Sequence, residues 1–190
     1  MPTPADAFAR LLEVLDRMEI PYLVGGSVAS SIHGITRPTM DADIVAAMKA
    51  DHVDEFVSLL KDDFYADGPT IRDALARGRS FNLIHYATTF KIDIFPVRED
   101  PYSRISFSRR RFEQSKSFGP EPIECAVATA EDTVLRKLEW YRAGGETSER
   151  QWNDLRGVLK VSGAQLDRDY MHQWAQYLKI DDLLDRLLAE

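Results

Sequence analysis

Leu23-Val24-Gly25-Gly26-Ser27, followed a short helix later by Arg37-Pro38-Thr39-Met40-Asp41-Ala42-Asp43, is the stretch on which the reading of this chain turns. Two successive glycines let the backbone turn sharply and let a ligand approach it closely. Ser27 adds a hydroxyl at what reads as a helix N-cap, where free N–H groups and the helix dipole favour phosphate. The predicted helix covers 27–33 and stops at Gly34. About eight helical residues rise ~12 Å and about six extended ones span ~20 Å, so Asp41 is able to open a strand right beside the glycine turn.

Asp41 and Asp43 alternate with apolar residues in a strand predicted over 41–46, so both carboxylates point to one face. Like charges placed this way repel unless a cation lies between them, and a hard divalent cation with oxygen ligands meets that need. A third acid, Asp93, interrupts the strand Phe90-Lys91-Ile92-Asp93-Ile94-Phe95. If Ile92 and Ile94 face one layer, Asp93 shares the opposite face with Lys91 and Phe95. A lone acid on such a strand invites a functional reading. The rival is an exposed acid on an edge strand, and Asp-x-Asp by itself is common among surface charges.

Working outward, residues 5–18 place Phe8, Leu11, Leu12, Leu15 and Met18 at helical spacing, and Pro21 ends that helix before the short buried strand Tyr22-Leu23-Val24. Asp51 reads as the cap of a helix through Leu60. Residues 80–86 and 90–97 read as a hairpin about Ala87-Thr88-Thr89, and 123–128 as a further strand. Beyond residue 129 the pattern is helical, over 131–141, 149–161, 167–178 and 181–188. The fold class is therefore α/β (α+β): a mixed β-sheet flanked by helices over 1–128, then a C-terminal helical region over 129–190.

The length, 190 residues, suits one domain or one core with a helical appendage. With 44% hydrophobic and 29% charged residues, the chain belongs with ordinary globular proteins. It has no internal repeat, low-complexity stretch or linker-like run. A formal charge of −7 argues against broad, sequence-blind binding along nucleic acid, which needs many phosphate neutralisations, while leaving room for a local basic patch. The single cysteine, Cys125, forms no internal disulfide, which fits a reducing compartment. The N-terminus lacks a basic start and a long apolar run, so neither a signal peptide nor a membrane anchor is expected, and the expected location is the cytoplasm.

The Gly-Gly-Ser turn, the Asp-x-Asp pair and the later strand aspartate resemble the polymerase-β-type nucleotidyltransferase superfamily. Within it the chain is most similar to the AbiEii type, toxins of bacterial toxin–antitoxin and phage-defence systems. Two helical segments carry the narrower likeness, Glu131-Asp132-Thr133-Val134-Leu135-Arg136-Lys137-Leu138 and Trp152-Asn153-Asp154-Leu155. The family places a lysine and a later aspartate in such helices, matching Lys137 and Asp154. The resemblance covers most of residues 20–160.

That resemblance implies a nucleotidyltransferase-type sheet and a two-metal reaction using magnesium or manganese. Asp41 and Asp43 would bind both ions, and Asp93 would help hold the catalytic one. Gly26 and Ser27 would hold the β- and γ-phosphates of a bound nucleotide such as ATP, with Gly25, Arg37, Thr39, Lys137 and Asp154 completing the site. The acceptor would attack the α-phosphorus in line as pyrophosphate leaves. Implied acceptors are RNA, the tRNA acceptor end included, or a protein, and a cognate antitoxin or toxin is the implied partner.

The residues also carry plainer readings. Lys137 shares a helical stripe with Val134, Leu138 and Tyr141, where a lysine either reaches a triphosphate as a point charge or snorkels to water. Asp154 either serves the site or makes a helix-surface salt bridge, and Arg37 meets a phosphate or stabilises its loop. Arg109-Arg110-Arg111 reads as a solvated face or an RNA-facing patch. His33 and His85 lack metal-ligand spacing and are expected to be structural, and Cys125 has no catalytic partner. Trp140, Tyr141, Trp152, Trp174 and Tyr177 fall at helical intervals and are expected in the core. Two other classes stay open: a non-catalytic nucleotide-binding sensor, and an antitoxin-like regulator acting through a protein partner.

Overall fold

Thr3 opens the first helix through a reciprocal cap: its hydroxyl accepts from the Asp6 N–H, and the Asp6 carboxylate accepts from the Thr3 N–H. The helix, α1 (Pro4–Arg17), buries Phe8, Leu11, Leu12 and Leu15 as their spacing predicts. In the computed structural model, which describes residues 1–190, α1 leads into a mixed α/β fold of seven strands and nine α-helices. After α1 come β1 (Tyr22–Val24), α2 (Gly26–His33) and β2 (Asp41–Ala46). The hairpin strands are β4 (Phe81–His85) and β5 (Lys91–Pro96), and β7 (Ile123–Val127) closes the predicted strand set.

Four elements go beyond the sequence reading: β3 (Phe64–Tyr65), α4 (Gly68–Ala76), α5 (Pro101–Ser108) and β6 (Arg111–Ser115). Both helices announce themselves locally by a capping aspartate followed by proline in the first turn. Asp67 accepts from the Thr70 N–H, and Asp100 from the Ser103 N–H. The two strands carry no such mark, since β3 is two residues long and most of β6 is solvent-facing. Asp51 is no cap. It sits within a 3₁₀ turn, Ala50–His52, that precedes α3 (Val53–Leu60).

The sheet order is β3-β4-β5-β2-β1-β7-β6. β2 runs parallel to β5, and β1 parallel to β7, while the remaining neighbours are antiparallel. Ala42, Ile44 and Ala46 of β2, with Ile92 and Ile94 of β5, enter a 29-residue buried cluster shared with α1, α3 and α4. Strand alternation turns Asp41, Asp43, Val45, Asp93 and Phe95 to the other side.

Helix α2 packs against β2, the C-terminal helices α6 (Ala130–Ala143) and α7 (Glu149–Ser162) pack against α2, and α8 (Arg168–Leu178) and α9 (Asp181–Leu188) pack against that pair. Helices α6 to α9 form a second buried cluster of 14 residues around Leu135, Leu138, Trp152 and Leu155, which Tyr102 of α5 joins, while Val28 and Ala29 of α2 belong to the first. Tyr141 and Trp152 are core residues as expected, but Trp140 and Tyr177 are about half exposed, at 50% and 49%. The helical stripe that puts Tyr141 inside points its neighbour Trp140 outward. No helix is long and apolar enough to cross a membrane.

Candidate active site

Gly25, not Ser27, is the N-cap of α2. The cap lies two residues earlier than the sequence pattern suggests, and Gly26 takes a positive φ of +54° as the chain turns into the helix. Space forbids any other residue there as well, since a Cβ on Gly26 would lie 1.8 Å from Asp43 Oδ2. The Gly25 N–H donates to the Asp43 carbonyl at 2.9 Å, so the turn is pinned against β2. The first-turn N–H groups of α2, beginning with Gly26, have no intrahelical carbonyl to meet.

The register of β2 and β5 pairs Asp43 with Asp93 and Asp41 with Lys91. Neighbouring residues of a parallel pair share a face, so all three carboxylates stand on one side of the sheet beside the glycine turn. Burial, then the charges of Asp41 and Asp93, push the Asp43 carboxyl up from 3.8 to about 6. Asp41 is held by the Thr39 hydroxyl, which donates to its Oδ1 at 2.8 Å. Asp93 is held by Lys91, whose Nζ lies 2.8 Å from its Oδ2. That contact, with the charges of Asp93, Asp41 and Asp43, raises the Lys91 ammonium above its ordinary value despite partial burial. As the side chains are placed, no three carboxylate, imidazole or thiolate groups are close enough together to hold a metal ion.

Opposite the acids stands a three-residue ion cluster. Arg37 donates twice to Asp154, at 2.8 Å to Oδ1 and 2.9 Å to Oδ2, and once to the Ser27 hydroxyl at 2.8 Å. Lys137 Nζ lies 3.0 Å from Asp154 Oδ2. Burial lowers the Lys137 pKa even though Asp154 works against that change. Burial alone would raise the Asp154 pKa, but the bonds from Arg37 and Lys137 hold it below 3.8. Asp154 reaches this position because α7 approaches the end of α2 backbone to backbone. A Cβ on Gly34 would lie 2.7 Å from the Val158 nitrogen, and one on Gly157 would lie 3.4 Å from the Ile35 nitrogen.

These groups share one cleft of about 490 Å³, roofed by α6 and α7 and floored by the sheet. Of the residues singled out from sequence, Gly25, Gly26, Ser27, Arg37, Asp41, Asp43, Lys137 and Asp154 line it. Thr39 and Asp93 do not. Thr39 is buried and acts through Asp41, and Asp93 stands beside Asp43 under the Lys91 ammonium. Sequence reasoning passed over Thr133, Arg136 and Trp140, which line the cleft with Lys137. Thr133 and Trp140 lie four before and three after Lys137 on one stripe of α6, and Arg136 borders it, a signal that was available.

Arg109 is engaged by acids of its own chain. It pairs with Glu131 at 3.1 Å and Asp132 at 3.2 Å and lies over the Tyr170 ring, tying α5 to α6 and α8. Arg110 covers Phe107, and Arg111 is exposed on β6. His33 Nε2 lies 2.6 Å from the Ala128 carbonyl oxygen, and His85 Nδ1 lies 2.8 Å from Thr88 Oγ1, both structural roles.

A mixed sheet with helices on both faces, a glycine turn at one strand end and paired aspartates on the next define the nucleotidyltransferase fold, and solved structures of that fold superpose over most of this chain. The solution structure of the antibiotic-resistance factor ANT(2'')-Ia matches with a TM-score of 0.54 at 12% identity, covering 95% of this chain and 96% of that one. The lincomycin-bound lincosamide antibiotic adenylyltransferase LnuA matches at 0.52 and 14% identity, over 82% and 96%. An antigenic nucleotidyltransferase-like protein from Paracoccidioides brasiliensis matches at 0.53 and 14%, over 97% and 92%. No protein-family model matches the chain, and no curated protein matches it.

Proposed function

We propose that this protein is a metal-dependent nucleotidyltransferase that moves a nucleoside monophosphate from a nucleoside triphosphate to a hydroxyl of an RNA or protein acceptor, with release of pyrophosphate. The observation that carries the reading is one cleft holding the Gly25-Gly26-Ser27 turn, the Asp41 and Asp43 carboxylates and the Lys137 ammonium, with Asp93 in register beside Asp43. Residues 1–128 carry the donor chemistry in this reading, and residues 129–190 supply the roof.

The chemistry of the donor set suits magnesium or manganese, since all three candidate ligands are carboxylates, and burial with the charges of Asp41 and Asp93 raises Asp43. Closing on one ion requires these side chains to turn towards each other from their present positions. Asp41, Asp43 and Asp93 would hold the metal, which when bound neutralises phosphate charge and polarises the phosphoryl group. Thr39 aims Asp41. The free N–H groups at the start of α2 and the Ser27 hydroxyl receive phosphate oxygens. Lys137 meets the triphosphate as a point charge, and Asp154 is a positioning residue that keeps Lys137 and Arg37 side by side. Catalysis by these groups is placement and charge neutralisation.

The sequence likeness to AbiEii-type toxins supports RNA as acceptor and a toxin role with a cognate antitoxin. The fold likeness to ANT(2'')-Ia and LnuA supports a second reading, in which the acceptor is a small antibiotic.

The test incubates the purified protein with magnesium or manganese, each α-labelled ribonucleoside triphosphate, and total RNA, cell lysate, lincomycin or tobramycin in parallel. Label transfer that disappears in Asp43→Asn supports the enzyme, and the labelled product names the acceptor. Nucleotide binding without transfer to any acceptor supports the sensor or regulator instead.

A further inference from the structure

Trp140 is half exposed and lines the same cleft as the acids and the glycine turn. A large aromatic left open inside a substrate cleft is surface that a ligand can cover. Phe95 meets it from the sheet side at the cleft wall, ring centroids 6.2 Å apart and inclined at 62°. Phe95 stands two residues beyond Asp93 on the same face of β5, and Val45 is its neighbour in register on β2. The acids therefore give way along the sheet to an apolar floor, Val45 and Phe95, beside the Trp140 ring.

We propose that Phe95 and Trp140 form the acceptor subsite and that the group they receive is the terminal nucleobase of an RNA. The inference rests on the nucleotidyltransferase reading above and goes beyond it by choosing the acceptor class and naming the residues that hold it.

Sheet order decides which substrate lies here. β5, β2 and β1 are neighbours in that order, about 4.8 Å apart, and the glycine turn leaves the end of β1. The start of α2 holds the triphosphate, in the reading above, on the β1 side of the acids. In-line displacement puts the attacking oxygen across the α-phosphorus from the leaving pyrophosphate. The acceptor therefore arrives over β5, where Asp93 and Phe95 stand.

The surroundings suit a base with phosphate behind it. An aromatic pair takes a flat, polarisable ring, whichever base it belongs to. Glu139, next to Trp140 on α6, is shared by Arg98 at 3.3 Å and Arg136 at 2.7 Å, so two cations flank one carboxylate. The side chain of Arg98 is 56% exposed. The positive charge left over beside the aromatic pair matches the phosphodiester next to a terminal nucleoside.

The test loads the protein with magnesium and an α,β-methylene nucleoside triphosphate, which blocks transfer, and measures the binding of short single-stranded RNAs by calorimetry. The RNAs are alike except at the 3′ nucleotide, which carries one of the four bases or none. Wild type is compared with Trp140→Leu and Trp140→Phe, and because Trp140 is half exposed both variants should melt close to wild type. The expected result is that the best 3′ base adds about tenfold in affinity over the abasic end in wild type. Trp140→Leu should abolish that gain, Trp140→Phe should keep most of it, and triphosphate affinity should be the same in all three proteins. An abasic end bound as tightly as a base-bearing one, or a gain that survives in Trp140→Leu, overturns the assignment. A loss of triphosphate affinity in Trp140→Leu, with tripolyphosphate unaffected, also overturns it by placing the donor's base there. A wild-type protein that binds no nucleoside triphosphate in magnesium removes the nucleotidyltransferase reading itself, a different failure from the others.

Discussion

Asp43→Asn should abolish transfer and at the same time stabilise the metal-free protein near neutral pH. The folded protein holds the Asp43 carboxyl at about 6 against an ordinary 3.8, through burial and the charges of Asp41 and Asp93. The proton therefore binds more tightly to the folded state, and stability is lost as pH rises from about 4 through 6. The full shift corresponds to about 3 kcal/mol at pH 7.5, an upper value because Asp43 retains some contact with water. Asparagine stands in for the protonated acid and removes the penalty. Urea unfolding in EDTA should show Asp43→Asn more stable than wild type by about 1–3 kcal/mol at pH 7.5, with the difference closing towards pH 4. Magnesium should stabilise wild type and leave Asp43→Asn much less affected. A variant no more stable than wild type at pH 7.5, or a difference that does not change with pH, refutes the electrostatic reasoning.

Gly26→Ala should lose activity and destabilise by at least 1–2 kcal/mol in thermal melts, whereas Gly25→Ala, with no non-neighbouring atom closer than 4.0 Å to its new Cβ, should be milder. Asp154→Ala leaves Arg37 and Lys137 without their shared partner, so it should cost about 2–3 kcal/mol in urea titration and raise the nucleotide KM. Because the Asp154 carboxyl sits below 3.8 in the folded state, its contribution is complete above that value, and the loss should shrink as pH falls below 4. Lys91→Met removes the ammonium that now occupies Asp93, and half-maximal thermal stabilisation should then need several-fold less magnesium. Arg109→Ala strips the cation from fully buried Asp132 and should cost about 3 kcal/mol in chemical unfolding while leaving the cleft lining in place.

The acidic face was legible in the sequence because strand alternation is a rigid rule: Asp41, Asp43 and Asp93 each sit between apolar neighbours, and the sheet puts them together in register. Lys137 was legible as a border residue for the same reason in a helix. What the sequence did not disclose is pairing at long range. Nothing local in Arg37 or Asp154 says that the two meet across 117 positions, and Gly34 and Gly157, which allow the approach, look like ordinary helix punctuation. The cap of α2 was misplaced by two residues because Ser27 has the chemistry of a cap while the turn itself is made at Gly25 and Gly26. Helices α4 and α5 were missed because their first-turn signals were outweighed by weak apolar periodicity, and Trp140 was assigned inward because spacing alone does not say where a stripe ends.

The Arg37–Asp154 clamp has a consequence for the life of the polypeptide before it is finished. A chain still on the ribosome displays its acids and glycine bend well before α7 has emerged, yet Arg37 and Lys137 then lack the aspartate that aligns them. Until Asp154 has been made and α7 has packed on α2, the two cations have no shared carboxylate to hold them side by side.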